Sequence, residues 1–276
     1  MFNMLQHYSL ICYNLIRNKF MKYTLTLQGR DYSPFVKRNV RRYINLHNLV
    51  VKFLSLSYFT RNIYKESSSL ELNEIRNKSL ENSDISDHLE TMFIESISVR
   101  PKLIVELGVR TGQSTFVFER VAKMSDAFLI SVDIASQLVS SKWHKWSFVQ
   151  EDDTLFADRF VTWCTEKGID PKIDILFIDT SHEYNHTKRE IAKWFPLLSE
   201  KAKVFFHDAN VKLIYRRRNF TIGKAYNDDN DVMRAIEEYL CKKYDQTKDF
   251  VDINNFWLIK HFAICNGMTI LQKVCK

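Results

Sequence analysis

Residues 1–276 predict an α/β fold: a doubly wound, mostly parallel sheet with an antiparallel closing hairpin, preceded by an N-terminal helical arm. Three observations carry that expectation. Beyond residue 100, short apolar runs alternate with helix-like stretches, the pattern of strands buried on both faces and joined by crossover helices. A glycine-bearing turn joins the first such run to the helix after it. Basic charge is confined to the start of the chain: residues 1–62 hold ten Lys or Arg against Asp31 alone, whereas the remaining residues carry 30 basic and 32 acidic side chains.

Taken in order, residues 1–64 read as a basic amphipathic arm. Phe2, Leu5, Tyr8, Ile11 and Leu15 recur at helical spacing, and a second helical pattern over 37–60 sets Lys37, Arg38, Arg41, Arg42 and Lys52 among Leu46, Leu49 and Val50. The plainer reading is a helical cap on the same domain; a partner surface or peripheral contact with anionic lipid through residues 1–62 comes behind it, and nucleic acid last. No stretch approaches the ~18 to 20 apolar residues of a membrane span. Residues 65–87 are rich in Ser and Asn and read as a polar linker. A helix is expected from Asp87, with Glu90 at capping-box spacing, and the main domain from residue 88 to 276.

Strands are expected at Leu103–Leu107, Phe128–Val132, Ile173–Ile178 and Val204–Phe206, and helices at Ser114–Met124, Asp158–Lys167, Tyr184–Phe195 and Val232–Leu240. Phe256–Cys265 and Met268–Val274, joined around Asn266-Gly267, read as the closing hairpin. The five cysteines form no C-x-x-C pair, so neither a disulfide framework nor a zinc site is indicated, and a reducing cytoplasm is the expected setting.

The informative segment is Glu106-Leu107-Gly108-Val109-Arg110-Thr111-Gly112-Gln113-Ser114, where a strand turns through two glycines into a helix. Such a turn lets a ligand approach the backbone at a helix N-terminus. Arg110 stands where a dinucleotide fingerprint needs its second glycine, which disfavours nicotinamide and flavin dinucleotides. Twenty-one residues after Gly112, Asp133 ends the next strand and offers a carboxylate to ribose hydroxyls. Asp152, in the acidic triplet Glu151-Asp152-Asp153 that follows Phe148-Val149, is a candidate for the adenine side of the same ligand. The plainer alternative is that the glycines only permit a tight turn and the acids only cap helices or lie solvated.

Residues 106–114 resemble the first motif, E-x-G-x-x-x-G-x-S, of class I S-adenosylmethionine-dependent methyltransferases, whose fold is Rossmann-like. Leu176–Tyr184, Trp194–Leu198 and Phe206-His207-Asp208 are similar to the macrocin O-methyltransferase and cephalosporin-hydroxylase-like subgroup (methyltransferase domain 24). The resemblance covers roughly residues 88–275. It implies S-adenosyl-L-methionine as donor, with Glu106, Gly108, Gly112 and Ser114 at its methionine end, Asp133 at its ribose and Asp152 at its adenine. It also implies an optional Mg²⁺ held by Asp179 and Asp208, although His207 stands where the subgroup has an acid.

Asp179 and Asp208 each follow a strand, so both carboxylates should open onto one crevice, and His182 lies three residues beyond Asp179. An acceptor hydroxyl must lose its proton to accept a methyl group. His182 is the candidate general base, with Asp179 beside it. Lys212, Tyr215, Arg216, Arg217, Arg218 and Tyr226 read either as a lid over the crevice or as solvated surface. The expected function is O-methylation of a hydroxyl on a sugar, glycan or specialised metabolite, and a homo-oligomer is compatible with it. The alternatives are a non-catalytic donor-binding or membrane-associated scaffold and, behind it, an RNA methyltransferase. Nucleic acid is disfavoured because the main domain has no basic excess of its own.

Overall fold

The computed structural model describes residues 2–25, 34–55, 69–136, 139–225 and 230–274. Helices α1 (Phe2–Leu25), α2 (Pro34–Ser55), α3 (Leu70–Lys78) and α4 (Leu89–Ile97) precede β1 (Leu103–Leu107). Then follow α5 (Gln113–Ser125), β2 (Phe128–Asp133), β3 (Trp146–Gln150), α6 (Asp153–Glu166), β4 (Ile173–Ile178), α7 (Tyr184–Trp194) and β5 (Leu198–His207). A short hairpin, β6 (Ile214–Arg216) and β7 (Ile222–Lys224), leads to α8 (Asp231–Leu240), β8 (Phe250–Asn254), β9 (Trp257–Phe262) and β10 (Met268–Lys273).

Among the described residues, eight strands form one sheet in the order β3-β2-β1-β4-β5-β10-β9-β8. The first five are parallel, and β10, β9 and β8 close the sheet in antiparallel register. Strands β1 and β4 are buried at every position, which explains runs that are apolar but for one buried acid each, Glu106 and Asp174. Their side chains divide between two cores. Leu103, Val105 and Leu107 join Phe156, Phe160 and Trp194 on the α6–α7 side, whereas Ile104 joins Met92, Phe93 and Phe118 on the α4–α5 side. The sheet is thus covered on both faces, as the alternation of runs and helices predicts. Strand β8 extends the closing hairpin beyond expectation; its outward Val251 and Ile253 are exposed, so its pattern was too weak to read.

Residues 69–87 are not an open linker. Ser69 caps α3 by accepting a hydrogen bond from the Leu72 amide, and Ile75 is wholly buried in the α4–α5 core. The capping box at Asp87 does not form. Helix α4 begins at Leu89, the buried Asp87 carboxylate accepts from the Arg218 amide and Cys265 Sγ, and Glu90 binds Arg76. Helix α6 starts at Asp153, five residues before the expected Asp158, because Asp152 caps it.

The segment after Asp208 is a hairpin rather than a free lid, and the N-terminal arm rests on it. Ile16 of α1 and Val40 and Ile44 of α2 pack on Ile214 and Ile222. Asn48 holds both backbone groups of Ile222, donating to its carbonyl at 2.9 Å and accepting from its amide at 2.7 Å. Arg217 is buried and donates to Ser83 O, Thr221 Oγ1 and Tyr215 Oη, so its guanidinium is spent inside the hairpin. Tyr226 lies outside the described residues, as do 56–68 of the expected arm and linker.

Candidate active site

Parallel strands deliver their carboxyl ends to one edge, and the strand order sets the residues that follow them side by side. Reading across β3, β2, β1, β4 and β5, that row is Asp152, Asp133, Gly108, Asp179 and Asp208. A cavity of about 410 Å³ opens along the row and is lined by all five together with His182.

Gly108 sits at the point where the chain order reverses between β1 and β4. Its φ is +86°, and a Cβ there would lie 2.0 Å from the carbonyl oxygen of Asp179. Only glycine fits so close an approach. Asp133 then ties the turn down: its Oδ2 accepts from the amides of Val109 (2.8 Å) and Arg110 (3.0 Å), and its Oδ1 from Ala135. Asp152 is the N-cap of α6, with Oδ1 accepting from the Thr154 and Leu155 amides.

Three residues that the resemblance places at the donor do not line this cavity. Gly112 is covered by Val139, whose methyl carbons would meet an added Cβ at 2.6 Å. Ser114 and Glu106 lie beneath the turn, where Glu106 is fully buried and accepts from Ser114 (2.6 Å), Ser131 (2.6 Å) and Thr115. Burial pushes the Glu106 carboxyl up to about 7 despite these three hydroxyls. Below the turn, the carboxylate braces β1, β2 and α5 against one another.

At the other end of the cavity four residues meet. His182 Nε2 lies 2.9 Å from Asp179 Oδ1 and its Nδ1 3.0 Å from Asp208 Oδ2. His207 Nδ1 lies 3.1 Å from Asp179 Oδ1 and 3.4 Å from Asp208 Oδ1. Burial alone would lower the pKa of His182, but its hydrogen bond to Asp179 and the charges of Asp179 and Asp208 raise it above 6.5. His207 is buried, yet the charges of Asp208 and Asp179 carry it to about 10. Asp179 is held well below the carboxylate range: burial works against this, and the charges of the two histidines and their hydrogen bonds outweigh it. Asp208 is raised by burial and by Asp179, against the two histidines. His182 (φ 60°) and Asp208 (φ 55°) both adopt left-handed backbone, a strain that active sites tolerate when the surroundings enforce it.

The structure adds residues that the sequence did not single out. Asp84 reaches the cavity and pairs with Arg110 at 2.9 Å. Asp153 lies beside Asp152 and accepts from His186 at 2.9 Å, with buried Glu190 behind them. Asp84 had no sequence signal, since it belongs to the polar stretch before α4. His186 and Glu190 stand one turn apart on α7, a spacing that becomes meaningful only once Asp153 is opposite. In total seven carboxylates line the cavity against one arginine and two histidines.

Residues 105–209 match the family described as Methyltransferase domain. The chain is 26% identical over 126 residues to the uncharacterised protein y4gI of Sinorhizobium fredii (strain NBRC 101917 / NGR234), covering 42% of this chain but only 14% of that relative's length. It is similar in structure to a methyltransferase from Geobacter sulfurreducens (14% identity, TM-score 0.45, 83% of this chain and 97% of that one). It is likewise similar to the O-methyltransferase TomG from Streptomyces achromogenes, in complex with SAM (13%, TM-score 0.47, 82% and 96%). MycE from the mycinamycin biosynthetic pathway, in complex with Mg, SAH and mycinamycin VI, is a third (15%, TM-score 0.46, 75% and 55%). No residue role passes from these structures to this chain. The glycine turn, the strands that follow it as far as β5, and the strand-end acids fall within residues 105–209, the segment that matches this family.

Proposed function

We propose that the protein is an S-adenosyl-L-methionine-dependent O-methyltransferase acting on a hydroxyl of a sugar, glycan or specialised metabolite. One observation carries the reading: a single cavity joins the turn at Gly108 and Asp133 to the Asp179–His182–Asp208 cluster, and its wall is acidic. A sulfonium donor is cationic, so seven carboxylates favour it and disfavour a polyphosphate or a nucleic-acid backbone. In this reading the donor's ribose lies at Asp133 and its adenine side at Asp152, with the methyl group directed toward β4 and β5.

His182 is the base that removes the acceptor's proton. Both of its ring nitrogens are held by carboxylates, so the incoming hydroxyl must replace one of them before the proton can move. Asp179 then orients the ring and steadies the imidazolium that forms. The donor set also fits a divalent cation: Asp179, His182 and Asp208 offer atoms within 4.8 Å of one another, and Asp208 Oδ1 is buried with no hydrogen-bond partner among the described residues. Asp179 and Asp208 would hold Mg²⁺, which when bound stabilises a developing alkoxide.

Calorimetric titration with S-adenosylhomocysteine tests the donor. Wild-type protein should bind it, and Asp133→Asn should bind at least about tenfold more weakly while still unfolding cooperatively. No heat of binding by well-folded protein refutes the reading. Transfer of labelled methyl to a panel of glycosides, absent in His182→Ala, tests the acceptor class.

A further inference from the structure

We propose that the outward side of the α1–α2 arm is a docking surface for anionic membrane lipid. Helix α2 has two faces. Val40, Ile44, His47 and Val51, spaced by four, three and four residues, are buried, Val40 and Ile44 against Ile214 and Ile222 and His47 at the Phe220 carbonyl. On the opposite face Arg38, Arg42, Leu46 and Leu49, spaced by four, four and three, are exposed. Leu46 is 60% exposed and Leu49 64% exposed, so this stripe combines cations with uncovered leucines. Helix α1 adds Ile11 and Leu15, exposed one turn apart on the side away from buried Ile16.

Charge selects the occupant. Helix α2 carries five Lys or Arg and no acid, whereas the rest of the chain beyond residue 62 is slightly acidic. Neither helix is long and apolar enough to cross a bilayer. A helix with arginines and leucines on one exposed stripe suits the interface, where guanidinium groups meet anionic headgroups and leucines enter the acyl boundary. Phosphates of a nucleic acid would meet the arginines equally well and leave the leucines in water. Docked this way, the arm would hold the hairpin that follows Asp208, and with it the mouth of the cavity, close to the lipid surface.

Sedimentation of the full chain with vesicles of phosphatidylcholine, with and without phosphatidylglycerol, tests the proposal. Binding should require phosphatidylglycerol and fall as salt is added. Replacing Arg38, Arg41 and Arg42 together by Gln should lower the partition coefficient about 100-fold, at about fivefold per basic residue. Leu46→Asp with Leu49→Asp should lower it at least tenfold on the scale of two buried leucines. All five side chains are exposed, so both variants should keep the wild-type thermal unfolding profile. Equal pelleting with and without phosphatidylglycerol, or wild-type pelleting by both variants, overturns the proposal. So does salt-dependent binding of an RNA oligonucleotide without vesicle binding, or a dimer that the leucine variant dissociates without vesicle binding.

Discussion

Replacing Glu106 by Gln should make the protein's stability less sensitive to pH. Glu106 is fully buried below the glycine turn, and burial raises its carboxyl from 4.5 to about 7. A folded pKa above the unfolded one means that the native state holds the proton more tightly. The stabilisation is therefore complete below pH 4.5 and is lost as pH rises through 7. Between pH 5 and pH 8 that loss is about 2 to 3 kcal/mol, at about 1.4 kcal/mol per pKa unit. Gln has no proton to lose, and its amide can still meet the hydroxyls of Ser114, Thr115 and Ser131. The stability difference between Glu106→Gln and wild type should thus shift toward the variant by about 2 to 3 kcal/mol across that range. Urea unfolding midpoints at both pH values, compared at matched slopes, measure it. A difference that stays constant with pH would show that Glu106 titrates as an ordinary carboxylate, open to the cavity, and would refute the bracing role.

Three further outcomes follow from the geometry. Gly108→Ala places a Cβ against the Asp179 carbonyl at a φ of +86° and should cost about 2 to 4 kcal/mol in denaturant unfolding; an unchanged midpoint would contradict the close approach. If His182 is the base, it must be neutral to act, so with its pKa raised the ascending limb of kcat against pH should centre above 6.5. His182→Ala should lower kcat at least about 100-fold and abolish that limb. Asn48→Ala removes both hydrogen bonds to Ile222 and should speed exchange of the Ile222 amide by at least about tenfold, marking release of the arm from the hairpin.

Legibility in the sequence followed burial. Leu103–Leu107 and Ile173–Ile178 coincide with β1 and β4 because strands covered on both faces are largely apolar, the one acid in each, Glu106 and Asp174, being held by hydrogen bonds. Strand-end acids were readable for the same reason, since a carboxylate that ends a buried run has to point out of it. Helix α3 was missed because Ile75 is its one fully buried residue, and a single position gives no period. Asp87 was misread as a cap because its partners, Arg218 and Cys265, lie 131 and 178 residues away. Arg217 was misjudged likewise: what it touches depends on Ser83, which no local spacing reveals, whereas Arg218 is exposed as the solvated reading expects.

By itself the sequence determined the alternating architecture, the glycine turn after β1 and the acids at the strand ends, because each follows from local periodicity and backbone sterics. Only the tertiary structure decided that Gly112, Ser114 and Glu106 lie under the turn, that His182 is clasped between Asp179 and Asp208, and that the arm rests on the β6–β7 hairpin. The reason is the range of the forces involved. Secondary structure answers to neighbours within a few residues, whereas burial, pKa and charge pairing answer to whatever the sheet order brings within a few ångströms.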